Sequence, residues 1–146
     1  MKKVPKKLPL KKFLEIYSKV PKLCVDLIIK TKKGIILSKR DINPNKGKWH
    51  LPGGTVLFGE KLTDTIRRVA KEETSLNLHV QETLGIMEFL PPSVHAHTIS
   101  IVYLCKPKSG KLRGSNQGKE IKFHSKIPKN TIAEHKQFLI SHNLIK

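Results

Sequence analysis

Hydrophobic positions along this chain follow first a helical period, then a strand period, and the switches between the two mark its elements. Leu10, Phe13, Leu14 and Tyr17 recur at helical spacing between Pro9, which a helix tolerates in its first turn, and Pro21, which closes the segment. Two β-rich runs follow, residues 23–29 and 35–37, and Lys32-Lys33-Gly34 between them predicts a β-hairpin. Asp26 interrupts the first run; a charge in such a strand sits at a sheet edge or reaches a ligand. A polar loop over residues 41–48, with Asn43, Pro44, Asn45 and Gly47, delivers the chain to the glycine-rich turn Trp49-His50-Leu51-Pro52-Gly53-Gly54. Ile66, Val69, Ala70 and Leu76 share one helical face and predict a helix from about residue 62 to 76. Strand-like stretches at 79–90 and 98–105 flank Pro91-Pro92. A basic loop at 106–118, a short strand at 121–123 and a final helix over about 130–142 complete the pattern.

Length and charge narrow the picture. The 146 residues fit one domain, divided here into a basic segment with a lead-in helix (1–20) and the domain proper (21–146). No apolar run approaches a bilayer span and no signal-peptide pattern opens the chain, which predicts a cytoplasmic protein without membrane partners. Cys24 and Cys105 lie inside apolar stretches and read as buried free thiols in a reducing setting, outside any zinc spacing. The net charge of +18 calls for anionic partners: phosphates, nucleic acid or an acidic surface. Arg40, Arg67, Arg68 and Arg113 are the only arginines, so the charge is mostly lysine, the poorer group for bidentate recognition. The N-terminal lysines Lys2, Lys3, Lys6, Lys7, Lys11 and Lys12 read as a solvated face or as a nucleic-acid arm.

Chemistry concentrates between Gly54 and Leu76. After the glycine turn comes Glu60, and the helix then presents Arg68, Glu72 and Glu73. Arg68 and Glu72 are four apart and can pair across one turn. Glu72 and Glu73 lie about 100° apart around the helix and can converge on a cation at its rim. Oxygen ligands of this kind suit magnesium, which keeps water and substrate phosphates in its shell and can orient an attacking water.

This spacing resembles the Nudix box, Gx5Ex7REUxEExGU with U aliphatic: Gly54, Glu60, Arg68, Ala70, Glu72, Glu73 and Leu76 fall in place. Val69 stands where the family has its first helical glutamate, and Ser75 where it has the closing glycine. The resemblance implies an α/β fold, an α/β/α sandwich around a central mixed β-sheet. It also implies a Mg2+-dependent hydrolase, with Mn2+ as an alternative ion, acting on a nucleoside diphosphate linked to another moiety such as a sugar or an ADP-ribose-like group. Over residues 21–139 the chain looks most like the GDP-mannose mannosyl hydrolase branch, through Val25-Asp26-Leu27-Ile28, Leu37-Ser38-Lys39-Arg40, Asn43-Pro44, Gly47-Lys48-Trp49 and Pro52-Gly53-Gly54. That likeness implies nucleotide binding by Asp26 and Arg40, phosphate contact by Arg68, and metal held by the Gly53 carbonyl, Glu73 and Gln117, with Glu72 beside them. The branch carries an aliphatic residue at the Val69 position, but its catalytic histidine is replaced here by Gly118 and an arginine by Thr55.

A general base must reach the attacking water. Glu72, Glu120 and His124 are the candidates; His95 and His97 line the pocket or are exposed, and Trp49 stacks on a base or is core. Three readings stand: water attack on phosphorus, attack at the sugar carbon of a GDP-mannose-type substrate, or a nucleotide- or RNA-binding module that has lost catalysis. The sequence leaves a homodimer open.

Overall fold

The computed structural model describes residues 6–43, 45–91 and 96–145. A short helix, α1 (Leu10–Tyr17), precedes β1 (Lys22–Thr31) and β2 (Gly34–Lys39), the expected hairpin. Two brief strands, β3 (Trp49–His50) and β4 (Gly53–Thr55), lead to helix α2 (Leu62–Thr74). Long strands β5 (Leu76–Phe89) and β6 (Thr98–Gly110), the short β7 (Ile121–His124) and helix α3 (Ala133–Ser141) complete the chain.

The strands form a mixed seven-stranded sheet ordered β3-β2-β1-β6-β5, with β4 paired to β1 and β7 to β2. Among the described residues, β1 and β6 are the strand pair that runs parallel, from Lys22↔Thr98 to Ile29↔Cys105; the other strand pairs are antiparallel. Strand alternation on β1 splits the core into two layers. Val25, Leu27 and Ile29 pack with Ile66, Val69 and Ala70 of α2, whereas Ile28 packs with Phe138 and Leu139 of α3. Helices therefore cover both faces, as an α/β/α sandwich requires. Asp26 follows the parity of Ile28, and it lies on a strand with neighbours on either side rather than at an edge.

Three boundaries differ from the pattern. The α2 helix ends at Thr74 because Ser75 turns left-handed (φ 63°) and its N–H caps on Lys71 O, so Leu76 opens β5 instead of closing the helix. The expected basic loop at 106–118 begins as strand: β6 runs to Gly110, paired with Leu76. Gly53–Thr55, read as a turn, is a strand against β1 with Asp26↔Gly53 in register. A Cβ on Gly53 would collide with Asp26 Oδ1 and the Val25 carbonyl, so only glycine lets these strands approach.

Cys24 and Cys105 are buried and free. Among the described residues no helix is long and apolar enough to cross a membrane.

Candidate active site

The loop that feeds α2 is held by one buried ion pair. Arg68 Nε donates to Glu60 Oε2 (2.9 Å) and Nη2 to Glu60 Oε1 (3.0 Å), a bidentate fork in which the Glu60 side chain is only 4% exposed. Nη2 also donates to the Thr55 carbonyl (2.7 Å) and Nη1 to Glu72 Oε2 (3.3 Å). Glu60 accepts further bonds from the Leu57 N–H and the Thr65 hydroxyl, and the Arg68 fork above all holds its carboxyl down to about 2. Arg68 thus ties β4, the loop and α2 into one unit, which leaves a single N–H of its guanidinium for a ligand.

Next along α2, Glu72 sits at the rim with Lys7 Nζ 2.9 Å from its Oε1. The lysine face read as solvated or nucleic-acid-binding therefore sends Lys7 onto Glu72, and Lys6 lines the same site. Glu73 is more enclosed and accepts the Ser115 hydroxyl at 3.2 Å. Burial pushes its carboxyl above the usual range, the Glu72 charge adds to that, and Ser115, Lys7 and Arg40 oppose it. Arg40, half-buried, feels the Glu73 charge in return.

Lys7, Arg40, Arg68, Glu72 and Glu73 open onto one cavity of about 670 Å³. Asp26, Arg40, Gly53, Arg68, Glu72, Glu73 and Gln117 all line it, so the structure brings together residues spread over 92 positions of sequence. Asp26 accepts the Ser100 hydroxyl, and burial raises its carboxyl to about 7 against the lowering effects of that bond and of Lys22.

Other candidates fall elsewhere. Glu120 does not line the cavity; its half-exposed carboxylate faces Lys39 (4.0 Å) and Lys122 (3.7 Å). His124 packs edge-on against buried Trp49, ring centroids 4.5 Å apart, and neither lines the cavity. Strand β7 pairs with β2; its Ile121 and Phe123 pack into the core layer under α2, and strand alternation puts His124 on the other face. His97 pairs with Glu88 (2.9 Å) outside the cavity, and His95 lies outside the described residues. Val69 is buried in the core beside Gly54, whose Cβ would meet it at 2.9 Å, so no carboxylate enters there. Gly118 is packed against Ser38, and a Cβ at that position would strike the Ser38 hydroxyl.

Residues 20–138 match the model of the NUDIX domain. The chain belongs to the Nudix family. The Nudix chain is 38% identical over 122 residues to a protein named ADP-ribose pyrophosphatase from Methanocaldococcus jannaschii, covering 84% of this chain and 71% of that one. It is 41% identical over 73 residues to the low-salt glycan biosynthesis protein Agl8 of Haloferax volcanii, half of this chain and 47% of the relative. Its fold matches the MutT protein from Methanosarcina mazei Go1 at a TM-score of 0.74 (22% identity; 86% and 94% of the two chains). It also matches a Francisella tularensis bifunctional NMN adenylyltransferase/ADP ribose pyrophosphatase complexed with AMP and a Mn ion, at 0.70 (22% identity; 90% of this chain, 47% of that one).

Sequence reasoning missed Lys7, His50 and His135 as cavity groups and Ser115 as the donor to Glu73. Only the neighbourhood of His50 to the glycine turn carried any signal; Ser115 is an ordinary loop serine, and His135 lies on a helix whose inward face the sequence does not mark.

Proposed function

We propose that this Nudix chain hydrolyses a nucleoside diphosphate linked to a second group, ADP-ribose-like substrates foremost, by attack of water on phosphorus with Mg2+, replaceable by Mn2+. The observation that carries the reading is the adjacency of Glu72 and Glu73 at one wall of a cavity that also holds Gly53, Gln117, Asp26 and Arg40. The name of the M. jannaschii relative supports the substrate class.

The donor set fits a hard divalent ion. It is all oxygen, with two carboxylates, the Gly53 carbonyl and the Gln117 amide. No cluster of three or more His, Cys, Asp or Glu ligands exists among the described residues, and magnesium needs few protein ligands because water and phosphates fill its shell. The carboxylates also attract positive charge, as Lys7 beside Glu72 and Arg40 near Glu73 attest. Held by Glu72, Glu73, Gly53 and Gln117, the ion would neutralise the diphosphate and orient water.

The chain's own residues supply the rest. Glu72, at the rim, accepts the proton of the attacking water, a task for which Glu120 stands on the wrong surface. Arg40 and Asp26, lining the same cavity, bind the nucleotide. Arg68 acts as a positioning residue that keeps Glu72 and the Gly53–Thr55 strand in place.

Hydrolysis of ADP-ribose, nucleotide sugars, NADH and oxidised dNTPs in oxygen-18 water with Mg2+ tests the reading. Label in the released phosphate group of one substrate supports it, and label in a free sugar moves attack to carbon. A flat response, with Glu73→Gln indistinguishable from the parent chain, overturns it.

A further inference from the structure

At the α3 side of the same cavity lie two histidines that the proposed chemistry leaves unused. His50 on β3 and His135 on α3 both line the cavity, their rings nearly perpendicular (86°) with centroids 6.2 Å apart. One residue between them fixes both. The Leu51 N–H donates to His135 Nδ1 at 2.9 Å, and the Leu51 carbonyl lies 2.7 Å from His50 Nδ1.

A backbone N–H can only donate and a carbonyl can only accept, so the two imidazoles are forced into opposite tautomers. His135 Nδ1 must be bare to accept, which places its proton on Nε2. His50 Nδ1 must carry the proton to donate, which leaves Nε2 a bare acceptor. Burial lowers His50 to about 4 and His135 to about 3, so both rings stay neutral and the assignment holds at physiological pH. Among the described residues the only fully buried side-chain nitrogen or oxygen without a partner is His124 Nε2. The Nε2 atoms of His50 and His135 therefore reach open space, and the space they border is the cavity.

We infer that His50 and His135 form a nucleobase-reading pair: the His135 Nε2–H donates to, and His50 Nε2 accepts from, the adjacent acceptor and donor on the edge of a base. This deepens, and rests on, the reading of the cavity as a nucleotide site. The walls around the pair favour a flat ring over a sugar. Leu51, Phe89, Ala96 and Ile132 border the same cavity, and the Phe89 ring lies 5.5 Å from that of His135. A planar, partly apolar group with a polar edge matches that lining, since a site built to hydrogen-bond an edge penalises a ligand that lacks it.

Nitrogen-15 imidazole spectroscopy of the full chain tests the inference without turnover. The pair predicts His50 as the Nδ1–H tautomer and His135 as the Nε2–H tautomer. Both Nε2 resonances move on adding at least one of AMP, GMP, CMP or UMP, and stay still with ribose 5-phosphate. Reversed tautomers, an equal response to ribose 5-phosphate, or no response to any of the four monophosphates overturns the inference. If the monophosphates act as stated while no diphosphate substrate is cleaved, the hydrolase reading fails and the base-reading pair survives. His50→Phe keeps an aromatic ring and deletes the acceptor. It raises KM for the preferred substrate about tenfold, the worth of one lost neutral hydrogen bond, with kcat little changed. An equal fall in kcat instead assigns His50 to the chemistry and overturns the role.

Discussion

The cavity has two ends that handle charge in opposite ways. At the α2 end charges are paired: the Arg68 fork drives Glu60 down to about 2, Arg68 is spread over Glu60, Glu72 and the Thr55 carbonyl, and Lys7 lies against Glu72. At the α3 end, His50 and His135 lose theirs to burial, and Asp26 between the two is raised to about 7. A diphosphate with its cation suits the first environment. A base with a polar edge suits the second. Under the proposed function, one substrate with a charged middle and a neutral end would span both, and the contrast teaches that polarity changes along the cavity.

Replacing Glu73 with Gln removes a charge from the α2 end while keeping its shape, and is the sharpest way to break the contrast. The expected loss in kcat is at least about a hundredfold, near 3 kcal/mol, with the far-ultraviolet spectrum unchanged. Steady-state turnover of the best panel substrate measures it; a loss under tenfold means that charge at this end does not drive the reaction.

Next in size is Arg68→Ala, which strands the nearly buried Glu60 carboxylate. Breaking a fully buried pair costs about 3–5 kcal/mol, and the partial exposure of Arg68 reduces this to about 2 kcal/mol of stability. For a chain of this length that lowers the melting temperature by about 4–8 °C in calorimetry.

Asp26→Asn sharpens the comparison through pH. The folded carboxyl, near 7, lies above its unfolded value near 4, so the folded state binds the extra proton between those limits. Stability from this group is complete below about pH 4 and is lost as pH rises through 7. His50 and His135 act in the other direction, costing stability as pH falls below about 6.5, because their folded values are depressed. The difference between the parent and Asp26→Asn urea curves isolates the carboxyl: the variant gains on the parent from pH 5 to pH 8. A difference that does not change over that range contradicts the placement of Asp26. The smallest effect belongs to Glu120→Gln, for which kcat should change less than about twofold, since its carboxylate faces solvent and two lysines.

The two ends also differed in what the sequence disclosed. Glu60, Arg68, Glu72 and Glu73 were legible because one loop and one helix carry them, and helical spacing alone fixes their relation. The hairpin and both main helices were legible for the same reason of local periodicity. The α3 end is assembled from β1, β3, β5, β6 and α3, whose meeting depends in part on the parallel pairing of β1 with β6, a long-range contact that no local pattern announces. Glu120 and His124 were named as candidate bases, and no local pattern shows that the Glu120 carboxylate faces Lys39 and Lys122 while the His124 ring packs on buried Trp49. The periodicity carried the helix to about residue 76, whereas Ser75 turns left-handed and strand begins directly at Leu76.

The account depends most on Glu72 and Glu73 clasping a divalent ion beside Gly53, and Mn2+ paramagnetic resonance measures this directly. Titration of the parent chain should remove the free-ion signal with a stoichiometry near one, and Glu73→Gln should leave most of that signal in place. Equal binding by the two chains, or none by either, would contradict the central claim.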